Sequence, residues 1–535
     1  MSAISLLVVA AILLLCIVGT RISSGSGLPV LLVFIFLGMV IGNNTLLKLE
    51  FSDLAATEAI CSVALIFIMF YGGFGTKWET AKPAAAKAIL LSSLGTVATA
   101  FLVGTFCHLY LKLPWLTALL TGSVISSTDA ASVFSILRSK KLALKYSTSP
   151  LLELESGSND PFAYLMTTVV LSMMSASRKV TALSVALDIT LQLVSGVVIG
   201  IVFGVIALKV LHYAKLENSI NSVFLIAIAI GAYALAGILK GNGYLATYLA
   251  GIIVGNSAIK NKKSMVSFLD VFNSIMQMLI FFLLGLVSSP SAIIRSFPQG
   301  IAIYLFLTFI ARPLVCYLIL KPWGAPVNQI GITAWAGLRG ASGIVFAILA
   351  AVSLGERGAG IVDTTFLIVI VSILFQGTLL PYVAKWMRMI EPGGDVMKTF
   401  SDYTESDLVQ FVNIELMEGH PWNGKMIMDA EVPPGMLIAA IERNGRTILP
   451  KGTTVLMARD VLTLGLQHNH AEPEGKFEEI TITRRHPWAG KALKDIKAEN
   501  LLILLVTRDG EDFMPDGSTV LQRGDMLITI SSDEG

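Results

Sequence analysis

At 535 residues, with 54% hydrophobic residues, 14% charged residues and a mean hydropathy of +0.74, the chain is far more apolar than a soluble protein, of which about a quarter is charged. Its formal net charge of +2, with no basic stripe, excludes a polyanionic partner such as nucleic acid. Most of the chain is predicted to lie in lipid.

Crossing about 30 Å of hydrocarbon takes about 20 apolar residues. Apolar runs at 2–20, 28–44, 56–74, 84–111, 114–138, 148–175, 181–213, 219–239, 243–259, 265–289, 297–320, 328–354 and 361–386 predict thirteen helices. The first lacks a basic leader and a small-residue cleavage site, so it reads as a retained helix. Lys and Arg concentrate in the loops after odd-numbered helices, such as Lys77, Lys82 and Lys87 after the third and Lys260, Lys262 and Lys263 after the ninth. That bias predicts an outside N-terminus and a cytoplasmic C-terminus. The four cysteines, Cys16, Cys61, Cys107 and Cys316, fall inside apolar runs without metal-ligand spacing and read as small buried hydrophobes.

A charge at the centre of a membrane helix costs at least about 2.5–3.5 kcal/mol, so intramembrane acids and bases are functional candidates. Three segments concentrate them. The fifth helix carries Ser126-Ser127-Thr128-Asp129, the sixth Glu153-Leu154-Glu155-Ser156-Gly157-Ser158-Asn159-Asp160-Pro161, and the twelfth Gly337-Leu338-Arg339-Gly340. Interruptions in the fifth and twelfth helices free backbone carbonyls that can replace the hydration shell of an ion. The two breaks lie seven helices apart with opposite directions, the relation expected of inverted repeats formed by helices 1–6 and 8–13. Asp160 can hold a proton or an alkali cation but not both, and competition for it gives exchange. Asp129 with oxygens of Thr128 and Ser156 would complete a hard-cation shell. Arg339 is expected to neutralise Glu155, although spacing alone does not choose Glu155 over Glu153.

After Trp386 the chain turns polar, with a linker over 387–404 that contains Pro392-Gly393-Gly394. Two copies of one α+β module are expected at 405–468 and 475–535. His420-Pro421-Trp422-Asn423-Gly424-Lys425 recurs as His486-Pro487-Trp488-Ala489-Gly490-Lys491, and Arg443-Asn444-Gly445, Pro450, Gly452 and Asp460 match Arg508-Asp509-Gly510, Pro515, Gly517 and Asp525.

The blocks Ser127-Thr128-Asp129, Glu155 to Pro161 and Gly337-Leu338-Arg339-Gly340 resemble the NhaP-type branch of the cation/proton antiporters, and most closely its bacterial potassium/proton antiporters with cytoplasmic tails. The resemblance covers about residues 1–386. It implies an α-helical polytopic inner-membrane protein of about thirteen transmembrane helices, with inverted repeats, two crossed broken helices in a mobile core (an NhaA/NapA-like fold) and a separate dimerisation domain that makes a homodimer. It also implies that Asp160 carries cation and proton, with Thr128, Asp129 and Ser156 around the ion. Asn159 would support the crossing, and Glu155 with Arg339 would form a core ion pair. Asn at position 159, where the electrogenic branch has a second Asp, implies electroneutral exchange of K⁺ or Na⁺ for H⁺. Tyr71-Gly72-Gly73 departs from the acidic residue that relatives often carry before those glycines. Each tail repeat resembles the TrkA-C or RCK-C module, which implies regulation by a small ligand. No strand followed by G-x-G-x-x-G is present, so NAD is not expected, nor is any other cofactor.

Gly196, Gly200 and Gly204 allow close helix approach, either inside the molecule or between copies. Arg312 reads as structural support more than as an ion partner, and Asp188, Asp270 and Asp363 as solvated or capping groups. His468 and His470 are expected to face water, and His420 and His486 to shape turns. No nucleophile elbow, Walker loop or zinc spacing occurs, which disfavours an enzyme. A tail-gated channel would need a filter such as T-V-G-Y-G, which is missing, and a transporter-like sensor remains the other alternative.

Overall fold

The computed structural model describes residues 14–19, 21, 30–42, 53–140, 142–175, 181–214, 218–257, 259, 262–288, 290–391, 409–430, 432–433, 436–443, 446–467, 476–482, 486–496, 501–508, 511–513 and 515–531. The chain divides into two compact units, Met1–Glu405 and Ser406–Gly535.

In the first unit the helices run α1 Val30–Ile41, α2 Leu54–Gly75, α3 Lys82–Leu109, α4 Trp115–Val124, α5 Ala130–Ser139, α6 Thr148–Ser175, α7 Ala182–Tyr213, α8 Asn218–Ile238, α9 Gly243–Gly255, α10 Lys262–Val287, α11 Ile293–Trp323, α12 Val327–Trp335, α13 Ala341–Leu354 and α14 Gly360–Trp386. Among the described residues seven are long and apolar enough to cross a membrane: α2, α3, α7, α8, α10, α11 and α14. α6 has the length, but it carries Glu153, Glu155 and Asp160, and those acids lower its apolarity. Most of the run expected at 2–20 lies outside the described residues. Single π-turns at Leu91–Gly95, Leu307–Ala311 and Ser372–Gly377 interrupt α3, α11 and α14. Such turns expose backbone groups and concentrate at functional sites.

These helices pack in two groups. In one, α1 and α2 pack on α10, and α9 packs on α2, α7 and α8. Close approach needs glycine here: a Cβ on Gly38 would lie 2.2 Å from the Phe282 carbonyl oxygen of α10. The stripe Gly196, Gly200, Gly204 faces α9 within the chain, at Asn242, Ala246 and Ile253. In the other group α4 packs on α3 and α6, and both α11 and α13 pack on α14. α7 exposes Leu187, Val194, Val198, Ile201 and Val205, an apolar surface suited to lipid.

The chain beyond α14 is fastened before it leaves the first unit. Leu144 and Ile390 form an antiparallel bridge. The Lys145 amide donates to the Met389 carbonyl and the Glu391 amide to the Ala143 carbonyl, each at 2.9 Å. The first residues of the expected 387–404 linker are thus held by the loop that leads into α6, and Pro392-Gly393-Gly394 lies outside the described residues.

The second unit holds two antiparallel sheets. Strands β1 Val409–Glu415, β2 Met436–Arg443, β3 Arg446–Ile448 and β4 Val461–Gln467 take the order β1-β4-β2-β3. Strands β5 Lys476–Thr481, β6 Leu501–Arg508, β7 Glu511–Phe513 and β8 Met526–Ser531 take the order β5-β8-β6-β7. Even the irregularities repeat, at Ile438/Ala440 and at Ile503/Leu505. Among the described residues each module has only a one-turn 3-10 helix, Ile427–Asp429 or Leu493–Asp495, so the modules are closer to all-β than the α+β expectation. The backbone amides of Trp422 and Trp488 donate to Nδ1 of His420 and His486, which matches the expected turn role. His468, His470 and the paired Asn444-Gly445 and Asp509-Gly510 lie outside the described residues.

Candidate functional site

α4 stops at Val124 and α5 starts at Ala130, and the hydroxyl-rich stretch between them bonds locally in place of the helical ladder. The Ser126 hydroxyl donates to the Ser123 carbonyl at 2.7 Å, and the Asp129 carboxylate caps α5 by accepting from the Ser132 amide at 3.3 Å and hydroxyl at 2.5 Å. The second break falls between α12 and α13, at the glycine-rich stretch expected. The two breaks touch. The Asp129 amide donates to the Leu338 carbonyl at 2.8 Å, and the hydroxyls of Ser127 and Ser342 are 3.1 Å apart. Only glycine fits at 340, where a Cβ would lie 2.4 Å from the Asp129 Cβ.

α6 passes this crossing and is tied to it. The Ser156 hydroxyl donates to the Thr128 carbonyl, and the Asn159 amide to the Thr128 hydroxyl, both at 2.6 Å. Asp160 is 6% exposed and faces the hydroxyls of Ser342 and Ser127 and the Asp129 carboxylate. Its Oδ1 has no protein hydrogen-bond partner among the described residues. Such a buried oxygen costs about 1–3 kcal/mol unless a proton or cation joins it.

Beside it the expected ion pair is corrected. Glu155 pairs with Arg312, Nη2 to Oε1 at 2.5 Å, with both residues buried. Arg339 instead spends its guanidinium on the carbonyls of Ser126 and Ser127, at 2.8 and 2.6 Å. Those carbonyls lie just past the end of α4, where orphan acceptors and the helix dipole both attract a cation. The Arg339 amide is held by the Ser372 hydroxyl at 3.0 Å, and that hydroxyl donates to Gln376 at 2.8 Å. Ser372 and Gln376 come from the π-turn of α14, and nothing in their local sequence marks them.

A cavity of about 440 Å³ lies between the two helix groups. One wall carries Thr128, Asp129, Glu153, Ser156 and Asp160; the other, from α10, carries Asp270, Asn273, Ser274 and Gln277. No Lys, Arg or His lines it among the described residues, so its field favours a cation. Asp270 is therefore more than a solvated group: its Oδ1 accepts the Tyr71 hydroxyl at 2.6 Å. The spacing of Asp270, Asn273, Ser274 and Gln277 at i, i+3, i+4 and i+7 is a polar helix face that the sequence displayed. Thr128, Asp129, Glu155, Ser156, Asn159, Asp160 and Arg339 thus meet in one place, with the roles of Arg339 and Arg312 changed.

The family described as sodium/hydrogen exchanger, transmembrane, matches residues 8–386. This chain belongs to that family. TrkA-C domains match residues 411–469 and 477–535 of this exchanger. It is 33% identical over 461 residues, 85% of this chain and 80% of the relative, to the K(+)/H(+) antiporter NhaP of Alkalimonas amylolytica. It is 28% identical over 473 residues to the K(+)/H(+) antiporter NhaP2 of Shewanella sp. (strain MR-4), covering 87% of this chain and 82% of that one. In fold it is similar to the sodium proton antiporter MjNhaP1 of Methanocaldococcus jannaschii, with a TM-score of 0.63, 19% identity, and 71% of this chain and 99% of that one covered.

Proposed function

We propose that this exchanger trades one K⁺ or Na⁺ for one H⁺ at Asp160, across the inner membrane of the cell. The observation that carries the reading is the unpartnered Asp160 Oδ1 at the crossing of two broken helices, beside an acid-lined cavity. A neutral Asn159 as the chain neighbour of Asp160, in place of a second Asp, supports electroneutral exchange. Asp129, Thr128 and Ser156 would offer the cation oxygen ligands, which suit a hard ion. Relatives named for K⁺ and for Na⁺ both occur, and the ion preference follows neither name alone.

The fuller architecture in this reading is a homodimer of thirteen-helix subunits built from inverted repeats, with the N-terminus outside and the tail in the cytoplasm. The cavity's polar wall starts at Asp270, in the half of α10 nearer its lysine-bearing start at Lys262, so in that orientation it would open inward. The TrkA-C pair would bind a small regulator. Proteoliposomes with a pH-sensitive dye test the exchange: Na⁺ or Li⁺ gradients should drive proton movement unchanged by valinomycin under matched K⁺, and a K⁺ gradient should drive it without valinomycin. Asp160→Asn should insert normally and show none. Retained exchange in that variant would refute the reading.

A further inference from the structure

Asp160 borders the cavity, and Tyr164 is not among the residues that line it. Tyr164 stands one turn beyond Asp160 on the same face of α6, about 6 Å along its axis. Its ring packs edge-on to Tyr244 at 4.9 Å between centroids and against Phe346 at 5.7 Å, and Tyr244 meets Tyr233 at 5.0 Å. Behind this aromatic seal lie polar groups that the exchange site does not use. The Tyr244 hydroxyl faces Ser62 and Tyr233, and the Ser62 hydroxyl donates to Glu58 Oε1 at 2.6 Å.

Position makes this cluster informative. Tyr164 and Phe346 come from the helix group that holds Asp160, whereas Ser62, Glu58, Tyr233 and Tyr244 come from the other. The seal therefore lies on the seam between the groups. Glu58 is in the first turns of α2 and Tyr71 in its last, about 20 Å apart along the helix. Tyr71 borders the cavity, so Glu58 marks the opposite face, and it is only partly buried.

Resting on the exchange reading above, we infer that Ser62, Tyr233, Tyr244 and Glu58 form a second docking station for Asp160. A one-turn shift of α6 toward the Glu58 end brings the Asp160 carboxylate to the level where Tyr164 now stands, beside the hydroxyls of Tyr244 and Ser62. One-turn ratchets between packed elements are a known mode of switching. Glu58 then offers a departing or arriving alkali cation its first carboxylate on the face remote from Asp270.

Sided kinetics test the station. Right-side-out and everted membrane vesicles present cation to opposite faces of the full chain. In Glu58→Gln and in Tyr244→Phe, the half-saturating cation concentration should rise several-fold on the face opposite the tail and stay unchanged on the tail face. Glu58→Asp should restore the sided affinity. An equal change on both faces, or none on either, overturns the station. Tyr244→Phe keeps the ring and loses only a hydroxyl, so it decides the matter if Glu58→Gln fails to insert. Wild-type chain that exchanges nothing from either face sinks the exchange reading itself, a separable result.

Discussion

In the core of the first unit Arg312 Nη2 sits 2.5 Å from Oε1 of Glu155, five residues before Asp160 on α6, and Arg312 fills the place that sequence reasoning gave to Arg339. Removing one partner of a buried pair strands the other charge, at a cost of about 3–5 kcal/mol. Arg312→Met should therefore lower the melting temperature in detergent strongly. The double variant Glu155→Gln with Arg312→Met should recover much of that loss. A double variant no more stable than Arg312→Met would show that the two groups are not coupled.

Arg339 has a different task, so its loss should have a different signature. Arg339→Met leaves the carbonyls of Ser126 and Ser127 without their donor at the end of α4 and frees the break to move. Exchange should fall at least tenfold, with a stability loss smaller than that of Arg312→Met. Comparing melting temperature with dye-reported flux in the two variants checks the division of labour.

Gly340→Ala tests the crossing. Its Cβ would fall 2.4 Å from the Asp129 Cβ and 2.6 Å from Asp129 Oδ2, and Asp129 is anchored there by its amide bond to the Leu338 carbonyl. Overpacking of this kind costs about 1–3 kcal/mol. Lost exchange and a lower melting temperature are expected together; an unchanged flux would mean that the breaks separate freely.

The fastening of Met389 and Glu391 sets where the tail can be removed. A chain ending after Glu391 should keep wild-type flux and lose only its ligand response. One ending after Arg388 loses the fully buried Met389 and both bonds to the loop before α6, and should exchange poorly. Equal flux from the two truncations would deny the fastening any part in holding α6.

In the tail, Arg443 and Arg508 grip Asp460 and Asp525 through two nitrogens each, at 2.7–2.8 Å. Burial pushes the Asp460 carboxyl up, but the Arg443 guanidinium and the Met457 amide win and hold it below its ordinary value. Arg508, opposed by burial and aided by the Gln522 amide, does the same for Asp525. A lowered folded value means that this stabilisation is complete above the unfolded carboxylate range, near pH 4, and is lost as pH falls through the folded values. Hydrogen exchange in β4 and β8 of the full chain, corrected for intrinsic rates, should lose protection only in that acid window. Asp460→Asn should already be less protected in β4 at neutral pH.

Composition and apolar runs alone determined that this is a membrane chain with a polar tail, because burial in lipid is written residue by residue. Ser126 to Asp129 and Gly337 to Gly340 announced both breaks, since hydroxyls and glycines are poor helix interiors wherever they stand. The HPWxGK repeat announced two like modules for the same local reason. Tertiary structure alone decided that Arg312 holds Glu155 while Arg339 closes α4, because both arginines lie far along the chain and either could reach by spacing. It also decided that Tyr71 meets Asp270 and that Met389 joins the loop before α6. These pairings depend on which helix faces turn toward one another, a property of packed elements that no single stretch of sequence contains.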